Sequence, residues 1–387
     1  LRFNPGARAF GFGVWRDIAR RNERVAWPAY RTSRATLASQ LGTLEGIAGI
    51  QRGSRLELLP YMVTKNVTEA GPDGWRHPQK LTAGADVKYG ITANATLDAT
   101  VNPDFGQVEV DPALLNLSAF EVRFEERRPF FQEGVGLFKC GGPCEGIFYT
   151  RRIGRTPQLR ASSLDPSGTS ILGAAKLTGR LRNGMALGLV EAITRREEGV
   201  NGATIEPQTN YFVGRLVKEM RQGRSQIGTM VGAVNRNLDP ATEPYLRRAA
   251  YTGLLQGFHR FAGDRWEVMA YTGVNQVSGS REAIARTQLN SVHFYQRPDH
   301  EESFDSTRTT LGGNVAAVSL SKIGGAVRWN TYVRRASAGL ELNDLGFVPT
   351  VNDASIRNDL VWQALRPGRF YRRMFANFGA ENHWTTG

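Results

Sequence analysis

The sequence lacks long apolar runs, although membrane contact is compatible with its pattern. None of its stretches approaches the roughly 18 consecutive apolar residues of a membrane-spanning helix. The mean hydropathy of the 387 residues is −0.36. A helical membrane protein is therefore excluded. A transmembrane β-barrel is not, because its strands are short and alternate apolar with polar residues.

Cysteine and histidine are also scarce, with two and five residues respectively. Cys140 and Cys144 enclose a Gly-Gly-Pro loop, which favours a small disulfide and an oxidising compartment. A pair of free or metal-touching thiols is the alternative. Because no further cysteine or nearby histidine completes a zinc site, we expect no metal and no cofactor.

Basic residues are abundant but have no clustered tract. Lys and Arg number 49 against 36 Asp and Glu, which gives a net charge of +13 and a pI near 10.1. This balance suggests an anionic partner such as a lipid surface or an acidic ligand. A nucleic-acid-binding arm has a basic run, and here the arginines are scattered singly, so nucleic acid is not an expected partner.

Alternation with a period of two begins at Arg55 and predicts β-strands. In 326–335, Val327, Trp329 and Val333 share one face, and Arg328 and Arg334 share the other. The segments that follow this pattern are 55–65, 81–90, 91–101, 169–181, 184–195, 208–219, 224–236, 247–260, 265–274, 286–297, 308–319, 326–335, 356–365 and 369–383.

The connections between these segments predict how the strands are joined. Short turns rich in Gly and Asn, such as 182–184 and 221–223, lie on one side, and longer connections, such as 237–246 and 298–306, lie on the other. The segments are about twice as long as the five or six residues of an average strand. This favours an all-β fold, an antiparallel up-and-down transmembrane β-barrel of about 12–14 strands, over a soluble β-sandwich.

Such a barrel has consequences for its side chains. Arginine costs about 2–4 kcal/mol at the centre of a lipid-facing surface, so we expect the arginines to point inward or to lie at the rims. The interior would then favour anions. Aromatic residues near segment ends would suit girdles at the membrane interfaces: Trp266, Tyr271, Phe294, Tyr295, Trp329, Tyr332, Phe370 and Tyr371.

The stretch Val101–Gly134 interrupts the strand pattern with acidic and aromatic residues. Ser118 and Glu121 form a capping box, and Phe120 with Phe124 makes an apolar stripe, which predicts a short helix that ends at Pro129. Irregular backbone cannot face lipid, so this insert (102–134) would lie in the lumen or at a mouth. The residues expected to form its ion pairs with the wall are Glu121, Arg123, Glu125, Glu126, Arg127, Arg128, Arg328 and Arg334.

The string VNPDFGQVEVDPALLNLSAFEVRFEERRPFFQEG, followed by IFYTRRIGR at 147–155, resembles a bacterial family of unknown function. In that family an outer-membrane β-barrel follows a carbohydrate-binding module of the family-nine type. The resemblance implies a module tail at 1–28, a linker at 29–54 and a barrel domain at 55–387. It also implies an outer-membrane location in a Gram-negative-type bacterium. Further implied partners are outer-membrane lipid, a carbohydrate ligand and an N-terminal module that belongs to the same chain but precedes this sequence.

Three functions remain open from the sequence. The first is a barrel that binds or admits extracellular carbohydrate or related anionic solutes. The second is a surface glycoside hydrolase, since paired carboxylates can act as acid and base; the candidate pairs are Asp104 with Asp111 and Glu121 with Glu125. The third is an anchor barrel with a plugged lumen. No nucleophile elbow, phosphate loop or HExxH motif indicates another chemistry.

Overall fold

The structure is a computed structural model that describes residues 9–21, 23–29, 40–47, 55–66, 68–71, 74–76, 79–103, 117, 121–139, 146–298, 302–364, 368–372 and 374–385. Its main feature is one sheet of thirteen strands. They are β1 Leu56–Asn66, β2 Gln79–Thr92, β3 Ala95–Val101, β4 Ile171–Arg180, β5 Met185–Thr194, β6 Gln208–Met220, β7 Ser225–Asn237, β8 Ala249–Phe261, β9 Trp266–Ser278, β10 Thr310–Lys322, β11 Val327–Ala336, β12 Asp353–Ala364 and β13 Met374–Thr385.

Each strand of this sheet pairs antiparallel with its neighbours in the chain, from β1 at one edge to β13 at the other. This is the up-and-down order that the sequence predicts, and thirteen strands lie within the expected number. Strands β6 to β10 have 13 residues each. The all-β antiparallel fold class is therefore confirmed.

Shorter elements lie outside the main sheet. Four two-stranded pairs join Ala9–Phe12 to Gly42–Glu45, Val14–Ile18 to Glu23–Trp27, Glu69–Gly71 to Gly74–Arg76, and Glu197–Glu198 to Thr204–Glu206. Two α-helices are described, α1 Pro129–Gln132 and α2 Arg281–Leu289. The assignment of 1–28, 29–54 and 55–387 to a module tail, a linker and a barrel domain stays a prediction. Among the residues that the structure describes, no helix is long and apolar enough to cross a membrane.

Short turns and long connections lie at opposite ends of the sheet. The turns after β4, β6 and β8 each contain a residue in the left-handed backbone conformation, with φ of 63° at Asn183, 57° at Gln222 and 59° at Asp264. Tight hairpin turns need this conformation, and Asn, Asp and Gly adopt it most readily. The connections after β3, β5, β7, β9 and β11 are longer and meet at the other end. We call these the short-turn end and the long-loop end.

One face of the sheet, the outer face, exposes apolar side chains. In the middle strands Ile227, Val231, Leu255, Val274 and Val318 are 47–60% exposed. The belt continues toward both edges through Leu58, Met62, Leu81, Val101, Leu360 and Phe378. A water-soluble protein rarely exposes so extended an apolar surface.

The opposite, inner face carries the charged residues and is largely covered. Lys176, Arg215 and Arg236 are buried on it, with 2–5% exposure. Lys88 on β2 and Lys176 on β4 lie on either side of Asp98, each at 3.9 Å. The arginines of these strands point inward, as expected from the cost of placing a charge in lipid.

The aromatic positions follow the prediction only in part. On the outer face at the short-turn end, the rings of Phe261 and Trp266 stack at 6.3 Å, and Trp266 meets Trp329 edge-on at 6.1 Å. Tyr271 and Tyr332, in contrast, face inward and pack against the buried core. They cannot belong to a girdle, because side chains of a strand alternate between its faces.

Two local predictions are wrong. Segment 286–297 is not a strand: α2 occupies its first part, with Ser280 as N-cap accepting from the Ala283 backbone N–H. Residues 121–128 are not helical, and the helix begins at Pro129 instead of ending there. Proline fits the first helical turn because that turn needs no N–H donor. Ser118 and Phe120 lie outside the described residues.

Candidate functional site

Three chain segments lie against the inner face of the sheet, and we call them the inner segments: 121–139, 146–155 and 337–348. In the first, the Phe130 carbonyl accepts from Lys176 Nζ, and Glu133 pairs with Lys88. The ring of Phe138 lies against Gly188 of β5, where a Cβ would be only 2.7 Å from a ring carbon. A larger residue at this position would have to displace the Phe138 ring.

The second and third inner segments are joined to each other by backbone hydrogen bonds. The Tyr149 N–H donates to the Leu345 carbonyl at 2.9 Å, and the Phe347 N–H donates to the Gly146 carbonyl. The third segment also lies directly on strand β10: a Cβ at Gly313 would be 2.2 Å from the backbone nitrogen of Leu340. These contacts fix the segments to the wall through backbone atoms.

Buried ion pairs anchor the third inner segment. Asp344 accepts from Arg236 Nη2 at 2.6 Å and from Arg247 Nε at 2.7 Å. Arg247 lies in the connection between β7 and β8 and approaches Glu341 at 3.5 Å. The side chains of Arg236, Asp344 and Glu341 are 1% exposed. A charge at such depth is tolerated only when it is paired and hydrogen-bonded.

His293 extends this network from the turn that follows α2. Its Nε2 lies 3.1 Å from Glu341 Oε2 and its Nδ1 lies 2.8 Å from the Ala338 carbonyl oxygen. Both neighbours are acceptors, so His293 donates through a ring nitrogen that carries a proton. The histidine thereby links the β9–β10 connection to the third inner segment.

The electrostatics of the network favour ionised carboxylates. Burial by itself raises the pKa of Glu341, but Arg247 and His293 outweigh it and hold the pKa below the ordinary glutamate value. Burial likewise opposes ionisation of Asp344, and the neighbouring Arg247 and Arg236 hold its pKa well below the usual range. Both acids therefore stabilise the fold as anions.

Two acidic residues of the first inner segment, Glu121 and Glu126, are bound by nearby arginines. Arg152 donates from Nη1 and Nη2 to the two oxygens of Glu121, each at 2.8 Å. Arg128 donates from Nε and Nη2 to the two oxygens of Glu126, at 2.9 and 2.6 Å. Burial raises the pKa of Glu126, but its hydrogen bonds to Arg128 leave the pKa lowered overall. Arg152 also donates to the Gly346 carbonyl, so Glu121 is tied indirectly to the third segment.

The other residues singled out from the sequence have varied positions. The guanidinium of Arg123 lies over the Tyr149 ring at 5.7 Å, and the Glu125 carbonyl accepts from Arg151 Nε. The Arg127 backbone N–H donates to Glu126.

The two wall arginines on β11 lie on the inner face. Arg334 binds Asp353 of β12 at 2.7 Å. Arg328 lies 3.0 Å from the side-chain amide of Gln363, which accepts from it when its oxygen faces Arg328. Asp104, Asp111, Cys140 and Cys144 lie outside the described residues, so the carboxylate pair of the first two and the disulfide of the last two remain predictions.

A cavity of about 620 Å³ lies between the end of the first inner segment and strands β3 to β7. Two further cavities lie among the inner segments themselves. A larger one of about 680 Å³ has aromatic and charged walls, formed by Arg123, Phe124, Glu125, Glu126, Gln132, Val135, Phe138, Lys139, Gly146, Phe148, Tyr149 and Thr150. A smaller one of about 260 Å³ lies between the second and third segments, next to the turn after α2. Within the described ranges, no cluster of His, Cys, Asp or Glu could hold a metal ion.

Sequence reasoning missed the residues that fasten the inner segments. Arg152, Arg236, Arg247, Glu341 and Asp344 are widely separated in the chain, and no local pattern indicates their pairing. The available signal is Glu341 and Asp344 themselves, two acids in the mostly apolar run AGLELNDLGFV at 338–348. Acids in such a run require buried partners when the run is packed.

Comparison with solved structures finds similarity at low scores. A porin matches with a TM-score of 0.32 and 10% identity over 85% of this chain and 100% of its own. Pseudomonas aeruginosa OpdK with vanillate matches with a TM-score of 0.33 and 9% identity, over 86% of this chain and 85% of that chain. P. aeruginosa OccK2 (OpdF) in complex with glucuronate has a TM-score of 0.31 and 9% identity, over 87% and 83%. Similarity at this level transfers neither residues nor activity.

Sequence comparison is more specific. A search of curated proteins finds no match. A protein-family model described as a domain of unknown function, DUF5916, matches residues 53–386, which include the whole thirteen-stranded sheet and all three inner segments. The chain therefore belongs to the DUF5916 family.

Proposed function

We propose that this chain is a β-barrel protein of a bacterial outer membrane that binds a polar solute among its inner segments and admits it. The observation that carries the membrane assignment is the exposed apolar belt of the outer face, from Leu58 on β1 to Phe378 on β13. Lipid-facing surfaces of transmembrane barrels have this composition, with the polar residues on the other face of every strand.

The strand dimensions support the same assignment. A tilted strand needs about 9–11 residues to cross the hydrocarbon layer, and strands β6 to β10 have 13 each. The ring contacts between Phe261, Trp266 and Trp329 lie at one end of the belt, where a membrane interface would lie. These features together support the proposed outer-membrane location.

Solute binding is proposed from the larger cavity. Rings of Phe124, Phe138, Phe148 and Tyr149 line it together with the polar groups of Arg123, Glu125 and Gln132. Aromatic walls combined with convergent polar groups are typical of small-molecule sites. The finer proposal, that the solute is an extracellular carbohydrate or an anionic relative, has its only specific support in the resemblance to a family with a carbohydrate-binding module.

Catalysis is the weaker proposal. Glu121 binds Arg152 through both oxygens, and Arg152 also donates to the Gly346 carbonyl, so this carboxylate ties the first inner segment to the third. We therefore assign Glu121 a structural role. An anchor barrel that admits nothing is the main rival, and it is separated from our proposal by measurement.

The test uses purified protein in liposomes. Osmotic swelling is measured with a neutral hexose, the matching hexuronate and an uncharged oligosaccharide of comparable chemistry. We expect swelling with at least one of these solutes above that of empty liposomes. A folded, membrane-embedded protein that gives no swelling with any of them would favour the anchor function, and recovery of the protein without detergent from the soluble fraction would overturn the membrane assignment.

A further inference from the structure

The charges of the chain differ between the two ends of the sheet. The turns after β4, β6, β8 and β12 contain eight arginines and one acidic residue, Asp264. The connections after β3, β5, β7, β9 and β11 contain sixteen basic and twenty-one acidic residues. The short turns are therefore strongly basic, and the long connections are weakly acidic.

Three arginines of the short turns are exposed and unneutralised. Asp264 lies 3.4 Å from Arg224, so the one acid of these turns already has a partner. Arg221, Arg265 and Arg372 have exposed side chains, and none of them pairs with a carboxylate among the described residues. Their charges are therefore available to an anion that is not part of this chain.

The outer face carries an aromatic band next to these turns. Trp266 of β9 and Trp329 of β11 are the register partners of Lys322 on β10. Lys322 shares the outer face with the exposed Val318, because the two are four positions apart on one strand. Tryptophan is enriched at membrane interfaces, and a lysine stem can lie along apolar surface while its ammonium group reaches the headgroups.

Arg265 is placed where this aromatic band ends. It immediately precedes Trp266, and its carbonyl accepts from the Ile323 N–H of the neighbouring turn at 2.8 Å. Its side chain lies against that turn, since a Cβ at Gly324 would be 3.0 Å from Arg265 Cγ. Its Nε donates to the Ala262 carbonyl of its own turn at 3.2 Å. The arginine is thus held beside the position at which a bilayer interface would lie.

The turn after β12 combines a cation with an exposed ring in the same way. Phe370 is 90% exposed, and the guanidinium of Arg369 lies 5.3 Å from its ring centroid. Arg372 follows two positions later and is also exposed. Apolar rings next to basic residues are typical of segments that lie in the headgroup region of a bilayer. This turn therefore has the composition of a membrane contact.

The phosphate group is the anion that suits this surface. A guanidinium binds phosphate oxygens through paired N–H donors, and basic residues close to a bilayer attract anionic lipids. The short turns of bacterial outer-membrane barrels lie on the periplasmic side. The lipids that would meet these arginines are therefore those of the periplasmic leaflet.

We propose that the short-turn end docks on the headgroups of anionic phospholipids, whose phosphates bind Arg221, Arg265 and Arg372. The inference rests on the proposed membrane location and adds the class of lipid and the end of the sheet that recognises it. The rings of Phe261, Trp266 and Trp329 set the depth of the sheet in the bilayer, and the arginines just beyond them select the lipid.

The test measures lipid binding to the purified protein in a neutral detergent. Phosphatidylglycerol and phosphatidylcholine with the same acyl chains are titrated, and native mass spectrometry gives the affinity of each. We expect phosphatidylglycerol to bind at least about tenfold more tightly, and the preference to shrink at high salt. Equal binding of the two lipids would overturn the proposal. Glycerol phosphate that binds as tightly as the lipid would also overturn it, because the site would then bind a free anion.

The variant that tests the residues combines Arg221→Gln, Arg265→Gln and Arg372→Gln. We expect its preference for phosphatidylglycerol to fall at least about tenfold, because three charges near the headgroups are removed. The single substitution Arg372→Gln lies in an exposed turn and should lower the preference about fivefold or less. It gives a second reading that does not depend on the folding of the triple variant. An unchanged preference in the folded triple variant, or in the single variant if the triple variant does not fold, would contradict the proposal.

The matched control combines Arg195→Gln, Arg281→Gln and Arg286→Gln, three exposed arginines of the long connections. It removes the same net charge from the other end and should keep the wild-type preference. An equal loss in both triple variants would show that total charge, and not the short-turn end, selects the lipid. Equal binding of both lipids by a protein that still inserts into liposomes contradicts this inference alone, whereas failure to bind either lipid contradicts the membrane location as well.

Discussion

Arg236 on β7 and Asp344 on the third inner segment form an ion pair of 2.6 Å in which both side chains are 1% exposed. The two residues lie 108 positions apart in the chain. Their pairing fixes a segment between β11 and β12 onto a strand four positions earlier in the sheet. The inner segments are therefore held by a buried charge network as well as by apolar packing.

Removal of Asp344 should destabilise the protein strongly. Asp344→Ala leaves Arg236 and Arg247 buried without their shared carboxylate, and breaking a buried pair on one side costs about 3–5 kcal/mol. Glu243→Ala breaks the exposed pair with Arg248 and should cost less than about 1 kcal/mol. The free energy of unfolding in urea, measured in detergent micelles, checks both values. Equal losses of unfolding free energy in the two variants would show that the buried network stabilises the protein no more than an exposed ion pair does.

The free energy of unfolding should fall at low pH because of Glu341 and Asp344. The pKa values of Glu341 and Asp344 are lowered in the folded state, so the unfolded state binds more protons in acid. Their contribution is fully present above the ordinary carboxyl pKa values and is lost as the pH falls below about 4. Unfolding midpoints between pH 7 and pH 3 check this. Asp344→Asn should show a shallower fall than the wild type, and an identical pH dependence would exclude Asp344 as a source.

Displacement of the third inner segment should open the long-loop end. Gly313→Ala places a Cβ 2.2 Å from the Leu340 nitrogen and 2.5 Å from the Gly339 carbonyl carbon, so backbone has to move. Gly253→Ala on β8 is the control, since its Cβ would make an ordinary contact at 3.7 Å with Val274. We expect faster liposome swelling only for Gly313→Ala. Unchanged swelling in a variant that still folds would show that the segment does not restrict passage.

The sequence predicts the sheet well because most strands have an apolar outer face and a polar inner face along their whole length. Along Val327–Ala336, apolar residues face outward and Arg328 and Arg334 face inward, so period-two alternation is strong. The turns can also be predicted from the sequence, since Asn183 and Gln222 lie where the backbone must be left-handed. These features are local, and a local pattern is sufficient to predict them.

The conformation of the inner segments and of the long connections is less predictable, because contacts between residues far apart in the chain determine it. Apolar residues at 289–294 resemble a strand, but the Ser280 cap and the buried pair Ala283 and Ile284 mark a helix just before them. Residues 121–128 have a helical pattern, yet arginine side chains and Tyr149 hold them in an irregular conformation. The partners of Asp344 and Glu341 come from other connections, so their spacing in the sequence carries no information about the pairing.

The most direct test of the account is a comparison of Val231→Arg with Asn237→Arg. Both residues lie on the outer face of β7 and are exposed, but Val231 lies at the middle of the strand and Asn237 at its end. A lipid-facing arginine costs about 2–4 kcal/mol at the membrane centre and about 0–1 near an interface. Folding into liposomes, followed by the altered gel migration of unheated protein, should be impaired for Val231→Arg and nearly normal for Asn237→Arg. Equal folding of both variants would contradict the central claim that this face contacts lipid.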